Sequence, residues 1–301
     1  MRLVFTAIVL FSLILFFVLP KNLINLSFSS SAQNNPFPAP SPQSFPHPIP
    51  IENFGPAPII TARSAAVIDA KSGVVLFEKD PNIRHFPAST TKLMTALVAL
   101  ERCTPQTHIR VTAVIKDGTQ MGISAGDLLT VESLLYGMLV ASGNDAAYVL
   151  AYACSDSFSH FIASMNQKAK ELRMENTHFV NPAGFDDPLQ YSTANDLAKL
   201  AKVAVGNPLI SKIVATKSTV VADVTGTKTY YLENINELLG EVEGIEGIKT
   251  GQTEGSLEIL VTKTTRNGNT IIAVVLGSQD RFGESRKLIE WAFSNHHWES
   301  P

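Results

Sequence analysis

Residues Leu257 to Leu276 read LEILVTKTTRNGNTIIAVVL. Leu257, Ile259 and Val261 alternate with Glu258, Leu260 and Thr262, the two-residue period of a strand. Arg266-Asn267-Gly268-Asn269 is a turn signal. Ile271 to Leu276 is an unbroken apolar run, the pattern of a central strand buried on both faces. The other strand signals lie far upstream: Ser64 to Ile68 and Val74 to Phe77 flank the hairpin signal Lys71-Ser72-Gly73. Helical patterns fill the interval. They cover Thr91 to Leu100, Val131 to Val140 with Thr130 as N-cap, and Asp145 to Ala153. Ser157 to Leu172 places Phe158, Phe161, Ile162, Met165, Ala169 and Leu172 on one face. Ser192 can cap a helix that carries Leu197, Leu200 and Ala204 and stops at Gly206. A last helix covers Gly283 to Asn295. Helices inserted between a hairpin and C-terminal strands predict one composite α+β domain over 61–301. Its sheet is completed by both ends of the chain.

The chain has 301 residues, 24 Lys+Arg against 27 Asp+Glu, and a net charge of -3. With 45% hydrophobic and 17% charged residues the balance is globular, which excludes wholesale disorder. The near-neutral charge gives no reason to expect nucleic acid as a partner. There are two cysteines, Cys103 and Cys154, and no CxxC pair, so a zinc ribbon or disulfide-dense mini-fold is excluded. The seven histidines show no metal-ligand spacing; His296-His297 reads as a surface feature.

Residues 1–20 read as a targeting segment. Leu3 to Leu19 carries no charge and would span about 26 Å as a helix, a little short of the hydrocarbon core. It is long for a signal-peptide apolar region, and the small-x-small site Ser30-Ser31-Ala32 lies 13 residues beyond it. The expectation is an uncleaved N-terminal membrane anchor with the rest on the extracytoplasmic face; the alternative is a cleaved signal and a secreted protein. Residues 21–60 read as a proline-rich disordered linker. Nine of the 26 residues from Gln33 to Pro58 are proline, a composition that favours extended polyproline II.

Three short motifs stand in order: Ser89-Thr90-Thr91-Lys92, Ser142-Gly143-Asn144 and Lys249-Thr250-Gly251. Each is weak alone. Pro87-Ala88 precedes the first and a helical run follows it. On a helix, positions i and i+3 share a face, so the Lys92 amine can reach the Ser89 hydroxyl. A serine hydroxyl needs a base to become a nucleophile, and an amine serves only if neutral near pH 7. Burial and a second cation, Lys249, would both lower the lysine pKa. Taken alone, Ser89 and Lys92 read as an N-cap serine and a solvated lysine.

With all three motifs present, the chain resembles the serine D-Ala-D-Ala carboxypeptidases, the low-molecular-weight penicillin-binding proteins. FPASTTKLMTAL from Phe86, LYGMLVASGNDAA from Leu135, NTHFVNP from Asn176 and GIKTG from Gly247 carry the likeness from about Ala62 to Trp291. The resemblance implies a β-lactamase/transpeptidase-like fold: an antiparallel sheet flanked by helices in a three-layer core, with an inserted all-helical region. It implies Ser89 as the acylated nucleophile, Lys92 as its general base and Ser142 as the hydroxyl that relays a proton to the leaving D-alanine. Asn144 would orient the substrate and hold Lys92. Lys249, Thr250 and Gly251 would form the strand that pairs with the peptide and receives its carboxylate. The backbone N–H groups of Ser89 and Gln252 would form the oxyanion hole. Arg281 resembles an arginine that also approaches the carboxylate; otherwise it is a surface residue at a helix start. The implied partners are the D-Ala-D-Ala stem peptide of peptidoglycan and β-lactam inhibitors, with no metal or organic cofactor.

The chain departs from the family at Ala183, where histidine or threonine is frequent, and at Ser256-Leu257, where alanine-glycine is usual. Leu257 would add bulk near the lower edge of the cleft. A class A β-lactamase would carry Ser-Asp-Asn and a glutamate for deacylation; here Ser142-Gly143-Asn144 stands and no Glu-x-x-x-Asn string follows before Lys249. A penicillin sensor would need a cytoplasmic output domain, and an inactive scaffold the loss of Ser89, Lys92 or Lys249. Export and an even cysteine count favour a Cys103–Cys154 disulfide. Each cysteine lies ten or eleven residues past a motif that must converge on one site, at the end of a helical run. Two separate buried thiols are the alternative.

Overall fold

The computed structural model describes residues 46–51 and 54–299. The targeting segment and most of the expected linker lie outside the described residues. In chain order the elements begin with β1 (His47–Pro50), β2 (Ser64–Asp69), β3 (Val75–Lys79) and, after a single 3-10 turn at Ala88–Thr90, α1 (Thr91–Arg102). Next come β4 (His108–Arg110), β5 (Leu128–Thr130), α2 (Val131–Leu139), α3 (Asn144–Ala153) and α4 (Phe158–Glu171). The helical part ends with α5 (Ala194–Gly206) and α6 (Pro208–Val214), followed by the ribbon β6 (Ser218–Ala222) and β7 (Thr229–Glu233). Last are β8 (Ile245–Thr253), β9 (Leu257–Arg266), β10 (Asn269–Ser278), α7 (Arg281–Asn295) and β11 (His296–Glu299).

The main sheet has the order β3-β2-β10-β9-β8 and is antiparallel throughout. The apolar run Ile271–Leu276 is its central strand, pairing with β2 on one side and β9 on the other. Alternation along β10 divides the core. Ile271, Ala273 and Val275 pack with Leu288, Ile289 and Ala292 of α7. Ile272, Val274 and Leu276 face the other way, into the larger core built by α1 to α6. The result is the expected three layers: α7, sheet, helical region. β8 is an edge strand, so one side of its backbone is left without a strand partner.

Three expectations are corrected. The linker does not extend to residue 60: Pro48 and Pro50 lie within β1, which pairs with β11. Proline has no N–H, yet an antiparallel strand needs donors only at alternate residues. Ile51 donates to Asn295 O at 3.0 Å, the phase that puts both prolines at non-donating positions. Phe54 then packs edge-on to Trp291 and His296, and Trp298 Nε1 donates to Asp69 Oδ1 at 2.9 Å. His296 itself is buried, not a surface feature. The cap of α5 is Thr193, whose hydroxyl accepts from Asp196 N. Ser192 Oγ instead lies 2.8 Å from Thr177 Oγ1.

Candidate active site

Ser89 sits in the 3-10 turn that leads into α1, one turn before Lys92. Two close approaches shape this corner. Ala88 has φ +44, and Gly184 (φ +96) lies so near that a Cβ there would fall 1.8 Å from the Ala88 carbonyl oxygen. A Cβ on Gly251 of β8 would come within 3.2 Å of the Ser89 amide. Glycines at both positions therefore let the 184 loop and the edge strand close on the Ser89 backbone. Thr95, one turn beyond Lys92, donates to Pro182 O at 2.7 Å and ties α1 to the same loop.

Lys92 is fully buried. Its Nζ lies 2.8 Å from Ser89 Oγ, 2.7 Å from Asn144 Oδ1 and 2.7 Å from Ala183 O. No carboxylate touches it. Burial pushes its pKa well below the ordinary value, and Lys249 lowers it further; Asp145 opposes both. A neutral amine suits three such neighbours: it can donate to the two carbonyls and accept from the serine hydroxyl. Asp145 does not neutralise Lys92 because its oxygens hold the backbone N–H groups of Met121, Gly122 and Ile123 at 2.8, 2.9 and 3.2 Å. That clamp fixes the 117–123 segment against α3, and Asn144 Nδ2 donates to Asp117 O at 3.0 Å.

Ser142 lies between α2 and α3 with φ +60, a conformation that costs a non-glycine residue of order 1 kcal/mol. Its hydroxyl accepts from Lys249 Nζ at 3.0 Å; the same ammonium donates to Thr250 O at 3.0 Å. Burial and the nearby Arg281 cation push the Lys249 pKa down to about 7. Arg281 is buried at the start of α7, not a solvated surface residue. Its Nη1 reaches Gly251 O at 3.2 Å and Gln252 Oε1 at 3.4 Å, and its Nε is buried without a partner. Two cations thus face one cleft with no anion between them.

The cleft encloses about 300 Å³ and is lined by Ser89, Thr119, Ser142, Ile235, Thr250, Gly251, Gln252 and Arg281. Lys92, Asn144 and Lys249 lie buried beneath it. All nine residues singled out for the site therefore converge, from four separate stretches of chain. Thr119 and Ile235 belong to no motif, so the sequence does not single them out; Asp145 stands only within the string from Leu135. Leu257 is not on the cleft wall; it pairs with Thr253 at the β8–β9 turn, with φ +55. Glycine suits that backbone better than leucine. The main chain of Ala183, not its side chain, holds Lys92.

The family described as D-alanyl-D-alanine carboxypeptidase matches residues 52–280. The chain belongs to that family. D-alanyl-D-alanine carboxypeptidase DacF of Bacillus subtilis is 35% identical over 233 residues, 74% of this chain and 59% of the relative. The D-alanyl-D-alanine carboxypeptidase of Streptomyces sp. strain K15 is 33% identical over 240 residues, 73% of this chain and 82% of the relative. The crystal structure of the Streptomyces K15 DD-transpeptidase has a TM-score of 0.75 at 32% identity and covers 80% of this chain and all of its own. This family member thus spans little more than half of the Bacillus relative and most of the Streptomyces one.

In this family member, Cys103 and Cys154 are joined by a disulfide, with Cα atoms 5.7 Å apart. They directly follow α1 and α3, the two helices that leave the site together.

Proposed function

We propose that this chain is a serine D-alanyl-D-alanine carboxypeptidase that removes the terminal D-Ala of peptidoglycan stem peptides and is acylated by β-lactams. The observation that carries the reading is a buried Lys92 amine 2.8 Å from Ser89 Oγ, held by carbonyl oxygens alone. Neutral Lys92 takes the hydroxyl proton as Ser89 Oγ attacks the scissile carbonyl. The N–H groups of Ser89 and Gln252 stabilise the oxyanion, whose charge appears only in the transition state. Lys249, Thr250 and Arg281 bind the terminal carboxylate. As the C–N bond breaks, Ser142, hydrogen-bonded to Lys249, relays the proton taken by Lys92 to the departing amine of D-alanine, and Lys92 is neutral again. Water then hydrolyses the acyl-enzyme and frees Ser89.

No carboxylate lines the cleft, so nothing there matches the glutamate that speeds deacylation in class A β-lactamases. A penicilloyl-enzyme should therefore turn over slowly. The reading puts the domain on the extracytoplasmic face, supported by the apolar run Leu3–Leu19 and by a disulfide, which persists in oxidising compartments. Among the described residues no helix is long and apolar enough to cross a membrane.

The test is labelling with a reporter penicillin, peptide mapping, and incubation with defined muropeptides. Label on Ser89 and loss of one D-alanine per stem are expected. Labelling that persists in Ser89→Ala, or muropeptides left intact, would overturn the assignment.

A further inference from the structure

Outside the catalytic cleft, a second groove of about 390 Å³ is lined by Arg63, Arg84, His85, Phe86, Tyr191 and Gly255, among others. It adjoins the site at both of its edges. Phe86 lies three residues before Ser89, and Gly255 is in the β8–β9 turn, three residues after Gln252. The two touch: a Cβ on Gly255 would fall within 3 Å of the Phe86 ring.

The groove carries two guanidinium groups, Arg63 and Arg84, against one carboxylate at its lip, Asp186. Among the described residues, neither Arg63 nor Arg84 forms an ion pair. The stem of Arg63 packs over Gly277. Arg84 lies 4.3 Å over the Tyr191 ring and spends one donor on Asn176 Oδ1 at 3.1 Å. Among the described residues it makes no other side-chain hydrogen bond. Asp186 keeps its charge, but its two oxygens are turned to Thr253 Oγ1 at 2.7 Å and Gly255 N at 3.0 Å rather than to either arginine. His85 adds no charge. The Ser64 hydroxyl donates to Asp80 O, so His85 Nε2 must carry the hydrogen that bridges it to Ser64 Oγ. Burial and the charge of Arg63 lower the His85 pKa and keep the ring neutral.

Strand direction connects this groove to the substrate. If the carboxylate sits at Lys249, Thr250 and Arg281, and the scissile carbonyl faces Gln252, the peptide runs antiparallel to β8. Its upstream residues then pass Thr253 and leave the cleft over Gly255. At about 3.3 Å per residue, three strand positions are about 10 Å, or about two to three substrate residues.

We propose that the groove between Arg63 and Arg84 is a specificity subsite for a carboxylate carried by the substrate peptide, about two to three residues upstream of the scissile bond. The subsite rests on the carboxypeptidase reading, but its test separates the two. Peptides ending in D-Ala-D-Ala are made in pairs that differ only in whether an upstream residue bears a carboxylate or its amide. Binding is measured to the Ser89→Ala variant, and turnover on the active chain. The acid peptide should bind about tenfold tighter than the amide, less so at high salt, and should shift the His85 ring resonances. R63Q/R84Q should erase the preference in both binding and KM. Penicillin acylation of Ser89, which needs no upstream peptide, should be unchanged. Equal binding of acid and amide, or a preference that survives in R63Q/R84Q, overturns the subsite whatever the turnover. A binding preference without cleavage overturns the carboxypeptidase reading and leaves the subsite standing.

Discussion

The Oδ1 of Asn144 lies 2.7 Å from Lys92 Nζ, while its Nδ2 donates to the carbonyl of Asp117 at 3.0 Å. The amide is thus fixed from both ends and offers the lysine an acceptor without a charge. Asn144→Asp nearly preserves shape and introduces a carboxylate. An anion at this distance favours the ammonium and raises the Lys92 pKa. Penicillin acylation at pH 7 should fall by about tenfold or more, since each unit of pKa is a factor of ten in the neutral fraction. Raising the pH should restore it. A pH–rate profile with an unmoved midpoint would contradict the neutral-amine role.

Lys92 and Lys249 are both buried lysines with different proposed tasks. Lys92→Arg should abolish acylation, because a guanidinium cannot deprotonate. Lys249→Arg should keep part of it, since a carboxylate receptor needs only charge. Acylation rates measured side by side decide this; equal losses would remove the division of labour.

Lys249 also sets a pH dependence. Its pKa is pushed down to about 7, so the free protein carries the cation below that pH and loses it above. KM for a substrate with a free C-terminal carboxylate should therefore rise as pH increases past about 7, at most tenfold per pH unit. The same substrate tested on Lys249→Arg should show no such limb. Persistence of the limb would assign it to another group.

The Cys103–Cys154 bridge closes a loop of about 50 residues, worth up to about 4 kcal/mol in the chain-entropy model. Cys154→Ser should lower Tm by about 10 °C for a domain of this size, while leaving acylation at 25 °C nearly intact. Calorimetry and alkylation of the unreduced, denatured protein check both points. Two alkylatable thiols in that sample would show that the bridge does not form.

The layers and the site were legible to different degrees for physical reasons. The run Ile271–Leu276 announced a strand buried on both faces because both of its faces meet a core. The three motifs mark the site only together, because a serine and a lysine three apart are common and their burial is not written in the sequence. β1 was hidden because proline argues against strands in general, and the exception depends on donor phase. Thr193 and Ser192 are chemically interchangeable as caps, and only Thr177, which engages Ser192, separates them. The ribbon β6–β7 buries only its alternate residues, in part, and leaves Val220 and Tyr231 exposed, so its strands gave weak signals. Arg281 looked equally like a surface residue because its burial is decided by β8, thirty positions earlier in the chain.

Val67 of β2 pairs with Ala273 of β10, roughly two hundred residues downstream. Ser89 follows β2 closely, whereas Lys249 and Arg281 flank β9 and β10. An emerging chain therefore exposes Ser89, the proposed nucleophile, long before the strands that carry Lys249, Gln252 and Arg281 exist. Lys249, which helps lower the Lys92 pKa, comes only with β8, so before the sheet closes Lys92 should hold its proton more firmly. Under the proposed function, acylation by a β-lactam would report completed folding: during refolding it should lag behind helix formation and coincide with closure of the sheet.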